Sequence, residues 1–247
     1  MTILKRILLM CLICLYTKLG YTEEKWVADE IFLQMSEMKQ QIQQLQQKVT
    51  LLEQQLAVQP SVAPIAFPDS DKMSEGKQQA TIGIIEFSDY ECPFCGKHYQ
   101  GVLPKLREDY INKGIVKYVM KDFPLEFHTH AKQASLSGRC AAEQGKYWDM
   151  HNLIFEARGQ VTDPFIKTAV TQLGLDSEAF NKCLAQPEQL ESIKNDIALG
   201  TSLGVTGTPS FLVGIIKNKQ LINYKRLVGV QSYETFANTI KNLNKPN

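Results

Sequence analysis

Two cysteines separated by two residues lie between a β-rich run and a helical run, and this arrangement constrains the fold more than any other feature of the chain. Residues 81–87 read TIGIIEF, which is typical of a short strand, and residues 92–95 read CPFC. Pro93 suits the first turn of a helix, where its missing N–H group costs nothing, and helical spacing continues to about Asn112. Pro104 is expected to kink that helix. A strand therefore leads directly into a helix whose first turn carries both sulfurs.

A Cys-x-x-Cys pair can hold a metal, staple a loop or carry out redox chemistry. A metal site needs a second close pair of cysteines or histidines at ligand spacing. Cys140 and Cys183 stand far apart, and the histidines show no such spacing, so we expect no metal. A structural staple is also a poor explanation, because so small a loop removes little entropy from the unfolded chain. The position of the pair favours redox chemistry.

The start of a helix changes the chemistry of the first cysteine. A thiolate there faces unsatisfied N–H groups and the positive end of the helix dipole, so its pKa falls from about 8.5 into the range of roughly 3.5 to 7.5. Cys92 is therefore the predicted nucleophile, and Cys95, one turn further along, is the predicted resolving thiol. Stabilising the thiolate stabilises the reduced form, so the disulfide should readily accept electrons from the thiols of other proteins.

The remaining elements place this motif in an α/β fold. A second strand begins at Ile115, and a strand, helix, strand unit of this kind is parallel with a right-handed crossover. Helical sequence then runs from about 130 to 203, followed by two strands joined at residues 217–220, KNKQ, and a helix capped by Ser232. This is the order of a thioredoxin fold with an inserted α-helical domain. We assign the whole thioredoxin-like domain, with its insertion, to residues 80–244.

The first residues have the composition of a targeting segment. Residues 1–21 carry Lys5 and Arg6 before an apolar stretch, as secretory signal peptides do. Lipid attachment at Cys11 is the alternative, but Met10 precedes it where a small residue is expected. Export places a protein in an oxidising compartment, and we expect a periplasmic location.

A heptad repeat occupies residues 26–58. Apolar residues alternate at steps of four and three, which predicts a two-stranded coiled coil instead of a globular helix face. The predicted core positions are Ile31, Met35, Met38, Ile42, Leu45, Val49, Leu52 and Leu56. A helix docked on its own domain and a disordered Gln-rich segment are the alternatives. We predict an N-terminal coiled-coil helix that forms a homodimer, joined to the domain by a Pro-rich linker at residues 59–79.

The charge balance argues against one class of partner. With Lys+Arg 27 against Asp+Glu 26, the formal net charge is +1, and no basic cluster stands out. Neither a nucleic acid nor a polyanionic substrate is therefore suggested, and no motif calls for a cofactor.

Four segments together resemble the DsbA-like, Com1-like thiol:disulfide oxidoreductases. They are EFSDYECPFC, KDFPLEFHTHA, RCAAEQGKYWDMHNLIFE and GVTGTPSFLVG, within a match from about Gly76 to Leu243. The resemblance implies a thioredoxin core with a helical insertion. It also implies that Pro209, before the hairpin, follows a cis peptide bond beside the active disulfide, with an ordinary trans proline as the alternative. Thr208 before this proline resembles the dimeric isomerases more than the monomeric oxidases.

The resemblance assigns roles to residues near the cysteines. Glu86 stands where the family often has a buried acid that assists proton transfer to the resolving thiol, and Lys117 resembles its usual partner; a partly exposed strand glutamate is the alternative. Phe94 occupies a slot where family oxidases often place histidine, which argues against a very strongly oxidising potential. His98 could add positive charge near Cys92, although a solvated helix face is the favoured interpretation.

The two insert cysteines are expected to pair. Export and an even count favour a structural disulfide between Cys140 and Cys183, and buried free thiols are the alternative.

The sequence therefore predicts an exported oxidoreductase that introduces and isomerises disulfides in unfolded or misfolded exported proteins, with a membrane redox partner. A surface coiled-coil protein with a thioredoxin scaffold and a dedicated thiol reductant are the alternatives.

Overall fold

The computed structural model describes residues 23–57, 63–68 and 72–244, which fall into two compact units. One unit covers Met1–Pro60 and the other Ser61–Asn247. The predicted signal peptide at residues 1–21, with Cys11, lies outside the described residues and stays a prediction. None of the described helices is both long and apolar enough to cross a bilayer.

The first unit contains one long helix, α1 (Glu23–Ala57). All side chains from 31 to 49 are exposed in the single chain. The heptad residues in that range are each more than half exposed, from 52% at Ile31 to 62% at Leu45. Over residues 31–49 the helix thus exposes an apolar stripe, and the coiled coil stays a prediction.

The second unit is built on a six-stranded mixed sheet with the order β1-β6-β5-β3-β4-β2 among the described residues. Its strands are β1 (Ile65–Ala66), β2 (Ser74–Glu75), β3 (Ile82–Ser88), β4 (Val116–Asp122), β5 (Ser210–Lys217) and β6 (Gln220–Val228). β3 pairs with β4 in parallel and with β5 antiparallel. The central strand β3 therefore ends at Ser88, between its neighbours β4 and β5, and the cysteine motif follows shortly after this strand end.

Two of these strands lie inside the segment predicted as a linker. β1 pairs with β6 and β2 pairs with β4, so each extends one edge of the sheet. Phe67 and Met73, which follow and precede these strands, are buried. Strands of two residues show no periodicity in a sequence. The backbone N–H and C=O groups with which they pair belong to strands that are distant in the sequence. The linker prediction was therefore too long at its C-terminal end.

Helices cover both faces of the sheet, and the CPFC motif opens the first of them. α2 (Pro93–Gly101) is followed by a short helix, α3 (Leu103–Leu106), and a π-helical turn (Arg107–Ile111). The break falls at Val102, two residues before the proline that was expected to kink the helix. The predicted helix is thus divided into three pieces.

Five helices form the insertion between β4 and β5. They are α4 (Ala131–Glu143), α5 (Tyr147–Glu156), α6 (Asp163–Gln172), α7 (Ser177–Leu184) and α8 (Pro187–Ser202). Thr162 and Asp176 cap α6 and α7 by accepting hydrogen bonds from backbone N–H groups. A final helix, α9 (Tyr233–Leu243), begins after the capping residue Ser232.

The hairpin turn is shorter than the sequence suggested. β5 and β6 extend to Lys217 and Gln220, so only Asn218 and Lys219 form the turn, with φ angles of 51° and 59°. Two positive φ angles match the right-handed twist of the flanking strands, as in two-residue type I′ hairpins. The strands therefore pair up to the turn itself.

Candidate active site

The cysteine pair lies where β3 ends and α2 begins. Cys92 has extended backbone angles and precedes Pro93, the first residue of α2, and its carbonyl accepts a hydrogen bond from the Gly96 N–H. Both cysteines are thiols, and Cys92 is 5% exposed whereas Cys95 is fully buried. The first turn of the helix thus points its free N–H groups at the Cys92 sulfur.

Hydrogen bonds lower the pKa of the Cys92 thiol to about 5. The largest contribution is the Cys95 thiol, which donates to the Cys92 sulfur; burial opposes it. The Thr208 side chain nearby and the backbone N–H groups of Phe94 and Cys95 lower the pKa further. At neutral pH, Cys92 is therefore a thiolate that the surrounding hydrogen-bond donors stabilise.

The second thiol is shifted in the opposite direction. Burial raises the pKa of Cys95 well above its usual value, and the neighbouring charges of Cys92 and Glu86 raise it further. Because one sulfur is ionised while its neighbour keeps its proton, the two thiols can act in sequence, the first as a nucleophile and the second after deprotonation.

A proline loop faces the first sulfur. The peptide bond between Thr208 and Pro209 is cis, and the Cys92 Sγ lies 3.3 Å from the Thr208 carbonyl oxygen, to which the thiol form donates. The Pro209 carbonyl accepts a hydrogen bond of 2.8 Å from the Gly229 N–H, which anchors the loop on the strand end of β6. The structure therefore brings the loop and the predicted nucleophile together.

Glu86 lies beneath the cysteines on β3 and is 2% exposed. The Tyr118 hydroxyl on β4 donates a short hydrogen bond to the Glu86 Oε2. Burial, the largest effect, raises the pKa of Glu86 to about 7, although Tyr118 and other donors lower it. The carboxyl can therefore accept or release a proton near neutral pH.

The expected partner of this acid is on the wrong side of the sheet. In the parallel register, Glu86 pairs with Met120 whereas Lys117 pairs with Gly83. Since alternate strand residues face opposite sides, Lys117 and Glu86 point to different faces. The residue types of β4 can be read from the sequence, but its register relative to β3 cannot, and Tyr118 takes the place next to the acid.

His98 is neither solvated nor cationic, so both interpretations of this residue were wrong. It is 1% exposed, its Nε2 lies 3.0 Å from the Tyr118 hydroxyl, and its ring packs on Phe211 with centroids 4.5 Å apart. Burial lowers the pKa of His98 to about 3, so the ring is neutral. Its spacing of three residues from the buried Cys95, on the inner face of α2, was the signal that could have shown this.

Sequence reasoning missed the network that holds the loop before Cys92. The fully buried Asp89 accepts hydrogen bonds from the Glu91 and Leu125 N–H groups and lies 2.8 Å from the His128 Nδ1. Glu91 in turn accepts from the backbone N–H groups at the start of α4. These bonds tie the active loop to the insertion.

A groove of about 280 Å³ opens beside Cys92. Its lining combines the aromatic rings of Tyr90 and Phe155 with the charged side chains of Glu91, Lys97 and Arg158. Next to it, Phe94 is 53% exposed, with the Lys97 Nζ 5.2 Å from the ring centroid. A substrate chain can therefore lie against Cys92 and contact apolar groups.

The insertion is closed by a disulfide between Cys140 on α4 and Cys183 on α7. Both residues belong to the buried cluster that also contains Tyr90 and the active cysteines. Among the described residues, no group of three or more His, Cys, Asp or Glu side chains could hold a metal ion.

The thioredoxin family model Thioredoxin_4 matches residues 69–241, which span the sheet, the cysteine motif and the insertion. The chain belongs to the thioredoxin family. Within that family it is DsbA-like.

Curated relatives of this thioredoxin family chain carry two kinds of name. A probable disulfide bond formation protein D from Bacillus anthracis is 30% identical over 177 residues, 66% of this chain and 79% of that protein. The Na(+)/H(+) antiporter NhaA 3 from Salinispora tropica is 31% identical over 147 residues, 59% of this chain. The match covers only 22% of the antiporter, so the chain spans about a fifth of that relative's length.

Solved structures show the same fold. A variant of alpha-DsbA1 from Wolbachia pipientis superimposes with a TM-score of 0.63 and 24% identity, over 72% of this chain and 92% of that one. At this identity the likeness concerns the fold, a thioredoxin core with an inserted helical domain.

Proposed function

We propose that this thioredoxin family protein is an exported thiol:disulfide oxidoreductase that introduces and isomerises disulfide bonds in other proteins. The observation that carries the proposal is a thiol at a helix start that faces a cis-proline loop, with a second, buried thiol one turn further along. The opposite pKa shifts of the two thiols agree with it. The name of the Bacillus anthracis relative, a probable disulfide bond formation protein, supports it.

In the oxidising direction, a substrate thiolate attacks the Cys92 sulfur of the Cys92–Cys95 disulfide. The bond between the two cysteines breaks, Cys95 leaves and takes a proton, and a mixed disulfide joins Cys92 to the substrate. A second substrate thiolate then attacks the substrate sulfur, and Cys92 leaves as a stabilised thiolate. The substrate loses two electrons and the CPFC pair gains them.

The low pKa of Cys92 favours this direction. A stabilised thiolate is a good leaving group and stabilises the reduced form of the pair, so the disulfide is oxidising. A dedicated reductant requires the reverse, which makes that alternative the weaker one. Oxidation of the reduced pair by a membrane redox partner completes the cycle.

The surface around the loop suits unfolded chains. Phe94, Val228 and Val230 are exposed by 53%, 58% and 39%, and Gly229 between the two valines bonds to the Pro209 carbonyl. Exposed apolar side chains on the helix that carries the cysteines and at the strand end that holds the proline loop can contact an extended segment of substrate without demanding one sequence.

Isomerisation follows from dimerisation through α1. Exposed apolar residues at both a and d positions need a partner helix, and a parallel pair would hold two catalytic domains on one substrate. The second domain then acts at a raised effective concentration on a chain that the first already holds.

Refolding of a scrambled-disulfide protein tests the proposal. The full chain should both oxidise and isomerise, and C92S should do neither. A chain starting at Ser61, where the catalytic unit begins, keeps strand β1 and should retain oxidase activity and lose isomerase activity.

A matched pair of variants separates dimerisation from the presence of the helix. Met38→Glu with Leu45→Glu places charges at d positions, and Gln40→Glu with Gln47→Glu places the same charges at outer f positions. Only the first pair should yield monomers and lower the isomerase rate. Activity of C92S equal to that of the unaltered chain would refute the redox function.

A further inference from the structure

A buried serine lies near the resolving thiol and the acid, and no step described above uses it. Ser88 is the last residue of β3, is 1% exposed, and its hydroxyl has no hydrogen-bond partner in the dithiol state among the described residues. A buried hydroxyl without a partner is uncommon in proteins and calls for a reason.

The position of the Ser88 hydroxyl suggests such a reason. Ser88 and Glu86 are two apart on the strand, so their side chains share one face. The Ser88 side chain is among the groups that lower the pKa of both Glu86 and Cys95, so it lies near both, although its hydroxyl makes no hydrogen bond to either in the dithiol state. Glu86 itself acts on Cys95 only through its charge. A proton that passes between thiol and acid therefore needs a carrier.

We propose that the Ser88 hydroxyl carries the proton between Cys95 and Glu86, and that Tyr118 and His98 hold the Glu86 carboxylate in place to exchange it. This inference rests on the proposed function, because it concerns the proton of the resolving thiol. In this step Ser88 exchanges the proton of the reacting thiol, whereas Tyr118 and His98 are positioning residues.

The hydrogen-bond pattern fixes how the positioning pair works. A tyrosine hydroxyl has one hydrogen, and Tyr118 donates it to the Glu86 Oε2. The His98 Nε2, 3.0 Å from the same hydroxyl, must then be the donor of that second bond. The buried His98 Nδ1 is left as a lone pair without a partner, as observed. The two hydrogen bonds from His98 to Tyr118 and from Tyr118 to Glu86 thus occupy the Glu86 Oε2 and leave the other carboxylate oxygen for Ser88.

Within the described part of the chain, the other groups around Glu86 do not offer a second path for the proton. The π-helical turn contributes Arg107, which lowers the pKa of Glu86 by its charge and is hydrogen-bonded to Glu75. From β5, Phe211 pairs with Glu86 and has no proton to exchange. Cys92 acts on Glu86 only through its charge.

The proton transfer accompanies attack of Cys95 on a mixed disulfide between Cys92 and a substrate. The Cys95 S–H gives its proton to the Ser88 Oγ as the Ser88 O–H gives its own to the Glu86 carboxylate. The Cys95 thiolate attacks the Cys92 sulfur, the Cys92–Cys95 bond forms, and the bond from Cys92 to the substrate breaks. The substrate sulfur leaves as a thiolate and takes a proton from water, and Glu86 later returns its proton to solvent. In substrate oxidation the same path runs backwards.

The test isolates attack by Cys95. A fluorophore-labelled single-cysteine peptide is joined to Cys92 as a mixed disulfide and held at pH 4, and a stopped-flow jump to pH 7 starts its release. General acid–base assistance is commonly worth 10²- to 10⁴-fold, so Ser88→Ala should slow release by at least about tenfold. Ser88→Thr keeps a hydroxyl and should restore release to within about threefold.

A matched control and a second readout exclude general damage. Ser135 on α4 is likewise 1% exposed with a hydroxyl that has no partner among the described residues, so Ser135→Ala makes the same change on a helix that carries neither Cys92 nor Cys95. It should release the peptide within twofold of the unaltered chain. The absorbance titration of the Cys92 thiolate should be the same in Ser88→Ala as in the unaltered chain. Tyr118→Phe should move the midpoint of the pH profile of release upwards, because Tyr118 favours the carboxylate.

The outcomes are distinct. Release by Ser88→Ala within twofold of the unaltered chain, or equal slowing by Ser88→Ala and Ser88→Thr, would overturn the inference and leave the proposed function standing. Failure of the unaltered chain to release the peptide would overturn the proposed function itself.

Discussion

Removal of the insert disulfide should destabilise the catalytic unit by several kilocalories per mole. The bond joins Cys140 and Cys183 across a sequence separation of 43 residues. The enclosed segment contains α5, α6 and most of α7, which pack on the cluster around Tyr90 and the active cysteines. In the unfolded chain the bond restricts this whole segment.

The size of the effect follows from loop closure. For a closed loop of this length, the lost chain entropy corresponds to about 4 kcal/mol at 25 °C, and measured losses on removing native disulfides are about 2 to 5 kcal/mol. We expect Cys140→Ala with Cys183→Ala to lower the free energy of unfolding by about 3 kcal/mol. With a urea slope of about 2 kcal/mol/M, the unfolding midpoint should fall by about 1.5 M.

The assay is urea unfolding followed by the fluorescence of Trp148, which lies inside the closed segment on α5. The background carries Cys92→Ser and Cys95→Ser, so no second disulfide can form or exchange. The slope should also rise, because an unfolded chain without the cross-link exposes more surface. A loss below about 0.5 kcal/mol with an unchanged slope would refute the loop-closure argument.

Two further changes test the buried acid and the packing of the insertion. Burial raises the pKa of Glu86 to about 7 from 4.5, so the stability that its neutral form provides is complete below pH 4.5 and is lost as the pH rises through 7. Glu86→Gln stays neutral and should become more stable than the unaltered chain over this window, by about 1 to 3 kcal/mol at pH 8 in urea unfolding; no gain at pH 8 would contradict it. A Cβ at Gly200 would lie 2.8 Å from Phe123 and 3.0 Å from Phe87. Gly200→Ala should therefore cost about 1 to 3 kcal/mol in thermal unfolding, whereas Gly101→Ala, with no atom within 4 Å, should not destabilise; equal effects would refute the packing argument.

Local patterns in the sequence were sufficient for the fold class and for the chemistry of the cysteines. The β-rich run before CPFC, a proline at the first helical position and the strand after Gly114 are signals within a few residues of each other. They led to the strand, helix, strand unit that the sheet contains. The helical stretch before the hairpin likewise indicated the insertion.

What the sequence left open depends on register and on long-range packing. Whether Lys117 or Tyr118 faces Glu86 is decided by a one-residue choice of register on β4, because side chains alternate between faces. His98 is buried only because α2 packs on the face that carries Tyr118 and Phe211. The edge strands β1 and β2 form because they pair with strands that are distant in the sequence, and their own two residues show no hydrophobic periodicity. The sequence thus indicated the reactive sulfurs better than the groups that tune them.

The central claim is that the helix start and the donors around it stabilise the Cys92 thiolate. Its direct test is the titration of the fully reduced chain by thiolate absorbance near 240 nm, with the rate of Cys92 alkylation followed by mass spectrometry at each pH. The account predicts a midpoint of about 5 for Cys92. A midpoint at or above about 8.5, the value of free cysteine, would contradict it.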